Sequence, residues 1–175
     1  DNYDHLLMPL ISRCNIDWCG HAADLKTMEK TIGLAIANNT NIGAHPSYPD
    51  KENFGRSSID ISARALKKSI QNQIISLQNI AEKKGTKLHH VKPHGALYND
   101  AAKDEKIAQI IIESLLEIER NFSLFVHLNS VISEVAKGKI NIIFEGFADR
   151  NYEADYSLVR MSKSNAVIEE QEVVL

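Results

Sequence analysis

Strand-like and helix-like segments alternate along the 175 residues with short connections between them, and that order restricts the chain to a parallel α/β architecture. The spacing predicts a helix capped by Asp24, with Leu25, Met28, Ile32 and Ile36 inward and a close near Asn38-Asn39. Ser62 opens a longer helix with Leu66, Ile70, Ile74 and Leu77 on one face and Gly85 as its C′ residue. A third helix is predicted over 104–119, with Ile107, Ile111, Leu115 and Ile118 inward, and a short fourth starts at Asn129 or Ser130 and ends at Gly138. Strands are predicted around 15–17, 42–44, 88–92, 124–126 and 140–144.

Imidazoles recur where these strands run out: His21, His45, His94 and His127. In a parallel sheet all carboxyl ends face one way, so side chains placed there converge in one mouth. Of the two histidines inside the third strand, His89 and His90, one must face inward, where it reads as a packing residue.

Composition narrows the class. Hydrophobic content of 43% and charged content of 25% fit one globular domain spanning 1–175. A formal charge of −3 gives no electrostatic case for nucleic acid or an anionic membrane. No apolar run is long enough for a membrane span. Cys14 and Cys19 are too few for a disulfide framework and read as buried thiols of a cytoplasmic protein. The start at Asp1 without Met, and an end at 171–175 that reads as the opening of a helix, suggest part of a longer product.

The sheet can be an open doubly wound one or part of a barrel. Neither a Gly-x-Gly-x-x-Gly after the first strand nor a Gly-Lys-Ser/Thr loop is present, which weighs against a nucleotide-binding open sheet. Small barrels need roughly eight strands, so a barrel requires strands beyond the five found here.

Four clusters carry groups suited to chemistry. The first holds Asn15, Asp17, His21 and Asp24, where imidazole and carboxylate can hold a metal or exchange a proton. The second, 43–56, sets His45, Tyr48 and Arg56 in a loop stiffened by Pro46 and Pro49. The third, 92–98, presents Lys92, His94 and Tyr98 after a strand, with Gly95 allowing close backbone approach. The fourth, 145–152, brings Glu145, Asp149 and Arg150 to the end of the last strand, where a guanidinium can hold a carboxylate bidentately. Beyond it, the polar loop to Asn165 reads as a lid carrying Asp155 and Arg160.

Together these clusters resemble the A-subunit family of 5-oxoprolinase, also called LamB/YcsF or lactam-utilisation proteins. The family's Asn-Ile-Ala-Cys-Gly-Phe/Gly-His-Ala-Gly-Asp segment is matched at 15–24, with Asp17, Trp18, Cys19 and Ala23 as departures. Its Gly-Ala-His-Pro-x-Tyr-Pro-Asp loop stands at 43–50, followed by Phe54-Gly55-Arg56. Val-Lys-Pro-His-Gly-Ala-Leu-Tyr-Asn is complete at 91–99, Phe-Ala-Asp-Arg-x-Tyr occupies 147–152, and Leu158-Val159-Arg160 echoes the segment after it. The family's opening Asn-x-Asp-x-Gly-Glu strand and closing His-Gly-Asp segment have no counterpart in this sequence.

The resemblance implies a (β/α) barrel-like fold of about seven strands, akin to glycoside hydrolase and polysaccharide deacetylase barrels and incomplete in this chain. It implies a part in ATP-dependent opening of 5-oxoproline to L-glutamate with subunits B and C, ATP being handled mainly by a partner. The candidate catalytic residues are then His21, His45, Lys92, His94 and Asp149, and the candidate substrate-binding residues Asn15, Tyr48, Arg56, Tyr98 and Arg150. A divalent metal would fall to His21, Asp24, His45 and His94. Two other readings fit the same residues: a metal-dependent deacetylase on a related barrel, and a non-catalytic regulatory component that binds a small acid. A homo-oligomer is compatible with all three.

Overall fold

Five parallel strands form one sheet in the order in which the chain makes them, in a computed structural model that describes residues 3–17, 25–119, 121–154, 156–159 and 163–168. The strands are β1 (Arg13–Ile16), β2 (Asn41–Ala44), β3 (His90–Val91), β4 (Ser123–His127) and β5 (Asn141–Glu145). The helices are α1 (Asp4–Leu7), α2 (Leu25–Ala37), α3 (Ala63–Lys83), α4 (Gly95–Ala101), α5 (Glu105–Ile118) and α6 (Val131–Ala136), with a 3₁₀ turn over Met8–Leu10. A doubly wound sheet reverses its strand order at a switch point; here the order never reverses. Right-handed crossovers in a consecutive series put every helix on the same face, which is the winding of a (β/α) barrel. The barrel is not closed among the described residues, and β1 and β5 are its two edges.

Local sequence explains where the helices start. Ser62 caps α3 by accepting the Ala65 N–H at 3.3 Å, and Asp104 caps α5 by accepting from Lys106 and Ile107 at 2.7 and 3.2 Å. Ser130 stands at the N-cap of α6, and Gly85 follows α3 as expected. The capping expected of Asp24 lies outside the described residues. The third strand is shorter than its apolar run suggests, pairing only at His90 and Val91. Gly95-Ala96-Leu97-Tyr98, a loop motif by its sequence, is the first turn of α4.

Alternation along the strands divides the sheet into two chemistries. Ile16, Ile42, Ala44, Val91, Leu124 and Val126 point toward the helices and are buried with Ile70, Ile74 and Leu77 of α3 and Ile111 and Leu115 of α5. In α2, Met28 and Ile32 are buried as expected, whereas Leu25 and Ile36 are exposed and Ala35 takes the inward place. The inward stripe there advances 28, 32, 35, so a position four residues beyond Ile32 rotates off it.

The other face is polar. Asn15, Gly43, His90, Ser123 and Asn141 lie side by side in register across it. His90 Nε2 donates to Asn15 Oδ1 at 3.0 Å, and Asn141 Nδ2 donates to Ser123 Oγ at 2.8 Å. The His90 ring fills the space above Gly43. A Cβ at that position would stand 2.1 Å from His90 Nε2.

Gly43→Ala should therefore cost about 1–3 kcal/mol, the usual penalty for overpacking, measured as a lowered urea midpoint. An unchanged midpoint would contradict the packing described. A pH dependence follows from the same ring. Burial, reinforced by His89 and Arg13 and more weakly by His45 and Lys92, lowers His90 to about 4, below its unfolded value of about 6.5. The unfolded chain thus binds the proton first, and the stability from a neutral His90 is intact above about pH 6.5 and is lost as pH falls toward 4. Urea midpoints across that window should fall with acid, and His90→Asn should flatten the slope; identical slopes would refute the assignment.

Candidate functional site

The mouth is assembled by stitching the loops that follow β2 and β3 to each other. Gln73, buried in α3, grips the backbone of Ser47 from both sides, accepting its N–H at 3.0 Å and donating to its C=O at 2.9 Å. Tyr48 donates its hydroxyl to Asp100 Oδ2 at 2.9 Å, tying the loop after β2 to α4. The His94 N–H donates to Pro46 O at 2.8 Å and the Ala96 N–H to Gly55 O at 2.9 Å. Gly95 is required here, since its φ is +58° and a Cβ would lie 2.6 Å from Gly55 O.

This scaffold brings two imidazoles together. His45 Nδ1 donates to Lys92 O at 2.6 Å, and His94 Nε2 donates to Phe54 O at 3.0 Å. Both outer nitrogens face carbonyls, which only accept, so both carry hydrogen. The inner nitrogens, His45 Nε2 and His94 Nδ1, then face each other at 3.0 Å. Two lone pairs cannot be held at that distance without a cation between them. A proton shared by the pair satisfies the geometry, as does a metal ion held by both nitrogens. Burial in the first place, with the neighbouring charges of His94 and Lys92, holds His45 down at about 4 despite its bond to the Lys92 carbonyl and the nearby Asp17.

Lys92 has two roles. Its carbonyl orients His45, and its ammonium crosses the mouth to Glu145 Oε2 at 2.7 Å, the two side chains being 17% and 14% exposed. The ammonium also lies 4.9 Å from the centre of the Phe147 ring. Tyr98, 9% exposed, stands beside this pair, and burial with the charge of Glu145 pushes its phenol well above the usual value. His127, from the end of β4, is in register with Glu145.

Of the residues that the sequence points to, His45, Lys92, His94 and Tyr98 meet here. Asn15 lies a layer lower on the same face, engaged by His90. Arg56 is exposed on the Gly55 turn that covers Gly95. Tyr48 is buried at 3% with its hydroxyl spent on Asp100, the geometry of a strut. Arg150 donates to Ala166 O at 3.0 Å and to Val159 O at 2.6 Å, fastening the chain after β5, while Asp149 is exposed on the turn beside it. His21, Asp24, Cys19, Asp155 and Arg160 lie outside the described residues. Cys14 packs against the core, and burial raises its thiol to about 11.

Glu145, His127 and Gln73 matter more in the fold than their sequence contexts suggest. The first two share a signal, since each is the last residue of a strand and falls on the polar face by alternation. Gln73 carries none: it sits within an apolar helix stripe, and only the fold places it under Ser47. A groove of about 410 Å³ on the polar face, lined by Leu10, Arg13, Asn15, His90 and Phe125 among others, lies nearer the amino ends of the strands than the mouth.

As a metal centre, the His45–His94 pair has a suitable inner spacing, because two imidazole nitrogens each about 2.1 Å from one ion sit about 3–3.4 Å apart. The carbonyls on the outer nitrogens are the usual brace for such ligands. Among the described residues there is no group of three or more His, Cys, Asp or Glu that could complete it.

Comparison with known proteins agrees with this architecture. The LamB/YcsF family model matches residues 2–175. A 5-oxoprolinase A subunit from Haemophilus influenzae (strain PittEE) is 42% identical over 169 residues, covering 95% of this chain and 69% of that protein. One from Pyrococcus abyssi is 40% identical over 172 residues, covering 98% and 68%. A crystal structure of a lactam utilization protein from Thermus thermophilus superposes with a TM-score of 0.90 at 31% identity, over 98% of this chain and 70% of that one. The chain belongs to the LamB/YcsF family.

Proposed function

We propose that this chain is a component of an ATP-dependent 5-oxoprolinase, which opens the lactam of 5-oxoproline to L-glutamate together with subunits B and C in the cytoplasm. The observation that carries the reading is the His45–His94 pair braced by carbonyls at the strand ends, beside the Lys92–Glu145 ion pair. The names of the relatives, an A subunit of 5-oxoprolinase and a lactam utilization protein, support the substrate class.

A five-membered lactam is an unactivated amide. Its hydrolysis requires polarisation of the carbonyl, delivery of water to the carbonyl carbon, cleavage of the C–N bond and protonation of the leaving nitrogen. The proton held between His94 and His45 is placed for that last step, and the proton lost by the attacking water restores it to the pair once it has been given up. Lys92 supplies positive charge at the mouth where an oxyanion or a phosphorylated carbonyl oxygen would develop. A divalent ion, if bound, would be held by His45 Nε2 and His94 Nδ1 and would supply Lewis-acid polarisation.

The residues here do not fit a nucleotide. The chain lacks a glycine-rich phosphate loop. ATP is therefore assigned to the partner subunits.

His94→Ala, assayed in the complex with subunits B and C, should lower glutamate formation from 5-oxoproline and ATP by about 10²–10⁴-fold while leaving the thermal midpoint near wild type. Undiminished turnover would remove His94 from the chemistry. Parallel runs with a chelator and with an acetylated sugar separate the metal-dependent deacetylase, which releases acetate. Binding of 5-oxoproline without turnover in the wild-type complex would indicate the regulatory component instead.

A further inference from the structure

One amide interrupts the apolar stripe of α3. Leu66, Ile70, Ile74 and Leu77 are buried along its inner face, and Gln73, 8% exposed, is buried among them. An apolar residue would meet no desolvation penalty there, whereas a buried amide is tolerated only when its polar atoms are bonded. Gln73 Oε1 accepts the Ser47 N–H at 3.0 Å, and Nε2 donates to Ser47 O at 2.9 Å and to Ser69 Oγ at 3.1 Å.

The consequence runs through a single peptide plane. The Ser47 N–H and the Pro46 C=O belong to one rigid planar unit and point in opposite directions. Gln73 holds the N–H, and Pro46 O on the far side accepts the His94 N–H at 2.8 Å. The amide in α3 therefore aims the carbonyl that anchors the backbone of His94. His45, next to Pro46 in the chain, is pinned by its own N–H bond to Ile16 O at 3.1 Å. One imidazole is thus placed by the sheet and the other by the 46–47 plane, which brings His45 Nε2 and His94 Nδ1 to 3.0 Å.

We propose that Gln73 is a positioning residue for the His45–His94 pair, acting through the Pro46–Ser47 peptide without touching the substrate. This rests on the lactam reading above and adds to it what sets the spacing of the two rings. A displacement of about 1 Å at reacting groups costs on the order of 10²-fold in rate.

Gln73→Met keeps the volume and removes both bonds to Ser47. In the complex with subunits B and C it should lower kcat for glutamate formation by about 10–100-fold, with KM for 5-oxoproline within about twofold of wild type. Gln73→Glu, kept protonated by its burial, accepts from the Ser47 N–H, donates to Ser47 O and should restore kcat to within about threefold. Leu77→Ala opens a cavity one turn further along α3; it should lower the thermal midpoint and leave the kcat of the folded complex unchanged. The ring ¹⁵N shifts of His45 and His94 should move in Gln73→Met and stay in Leu77→Ala. Should Gln73→Met not fold, Gln73→Asn, one methylene short of Ser47, takes its place under the same criteria. Unmoved rings, a kcat loss no larger than that of Leu77→Ala, or no recovery in Gln73→Glu would overturn the positioning role. A wild-type complex that forms no glutamate would overturn the lactam reading instead, and the ring shifts alone would then decide the role of Gln73.

Discussion

Everything at the mouth depends on the parallel register of five strands laid down in chain order. Because the order never reverses, the helices and the apolar side chains go to one face. The alternate residues are then left to form a polar wall. His90, Ser123 and Asn141 lie in one layer of that wall, and His127 and Glu145 in a higher one. A slip of one residue in β4 would exchange His127 for Val126 and put the imidazole into the core.

Within that wall Lys92 is the junction. Its carbonyl fixes one histidine, its ammonium fixes Glu145, and the proline after it carries the chain to the other histidine. The imidazole pair and the ion pair are therefore parts of one arrangement. The outer bonds of each ring go to backbone carbonyls, so the positions of His45 and His94 are set by the loops that carry Lys92 and Phe54. This explains why the stitching by Gln73, Gly55 and Gly95 matters although none of these residues contributes a reacting group.

Much of this is legible in the chain. The helix caps at Ser62 and Asp104 and the convergence of His45, Lys92 and His94 at strand ends follow from spacing and from the geometry of parallel sheets. The choice between an open sheet and a barrel is not, because both put function at the carboxyl ends; the family resemblance points to a barrel, and strand order decides. Tyr48 and Arg150 look like substrate contacts in the sequence because aromatic and guanidinium groups in loops are chemically versatile. In the structure their polar atoms brace Asp100 and the backbone of 159 and 166, and no local pattern reveals those partners. Glu145 is hard to weigh for the converse reason, since its value comes from Lys92, 53 residues away.

One mouth, walled by the His45–His94 pair on one side and Glu145 on the other, is the place where the lactam should sit. A crystal structure of the protein with 5-oxoproline bound tests this most directly. Ligand density is expected between His94 and Glu145. Density seated instead in the lower groove against Arg13 and Phe125, with the mouth holding only water, would contradict it.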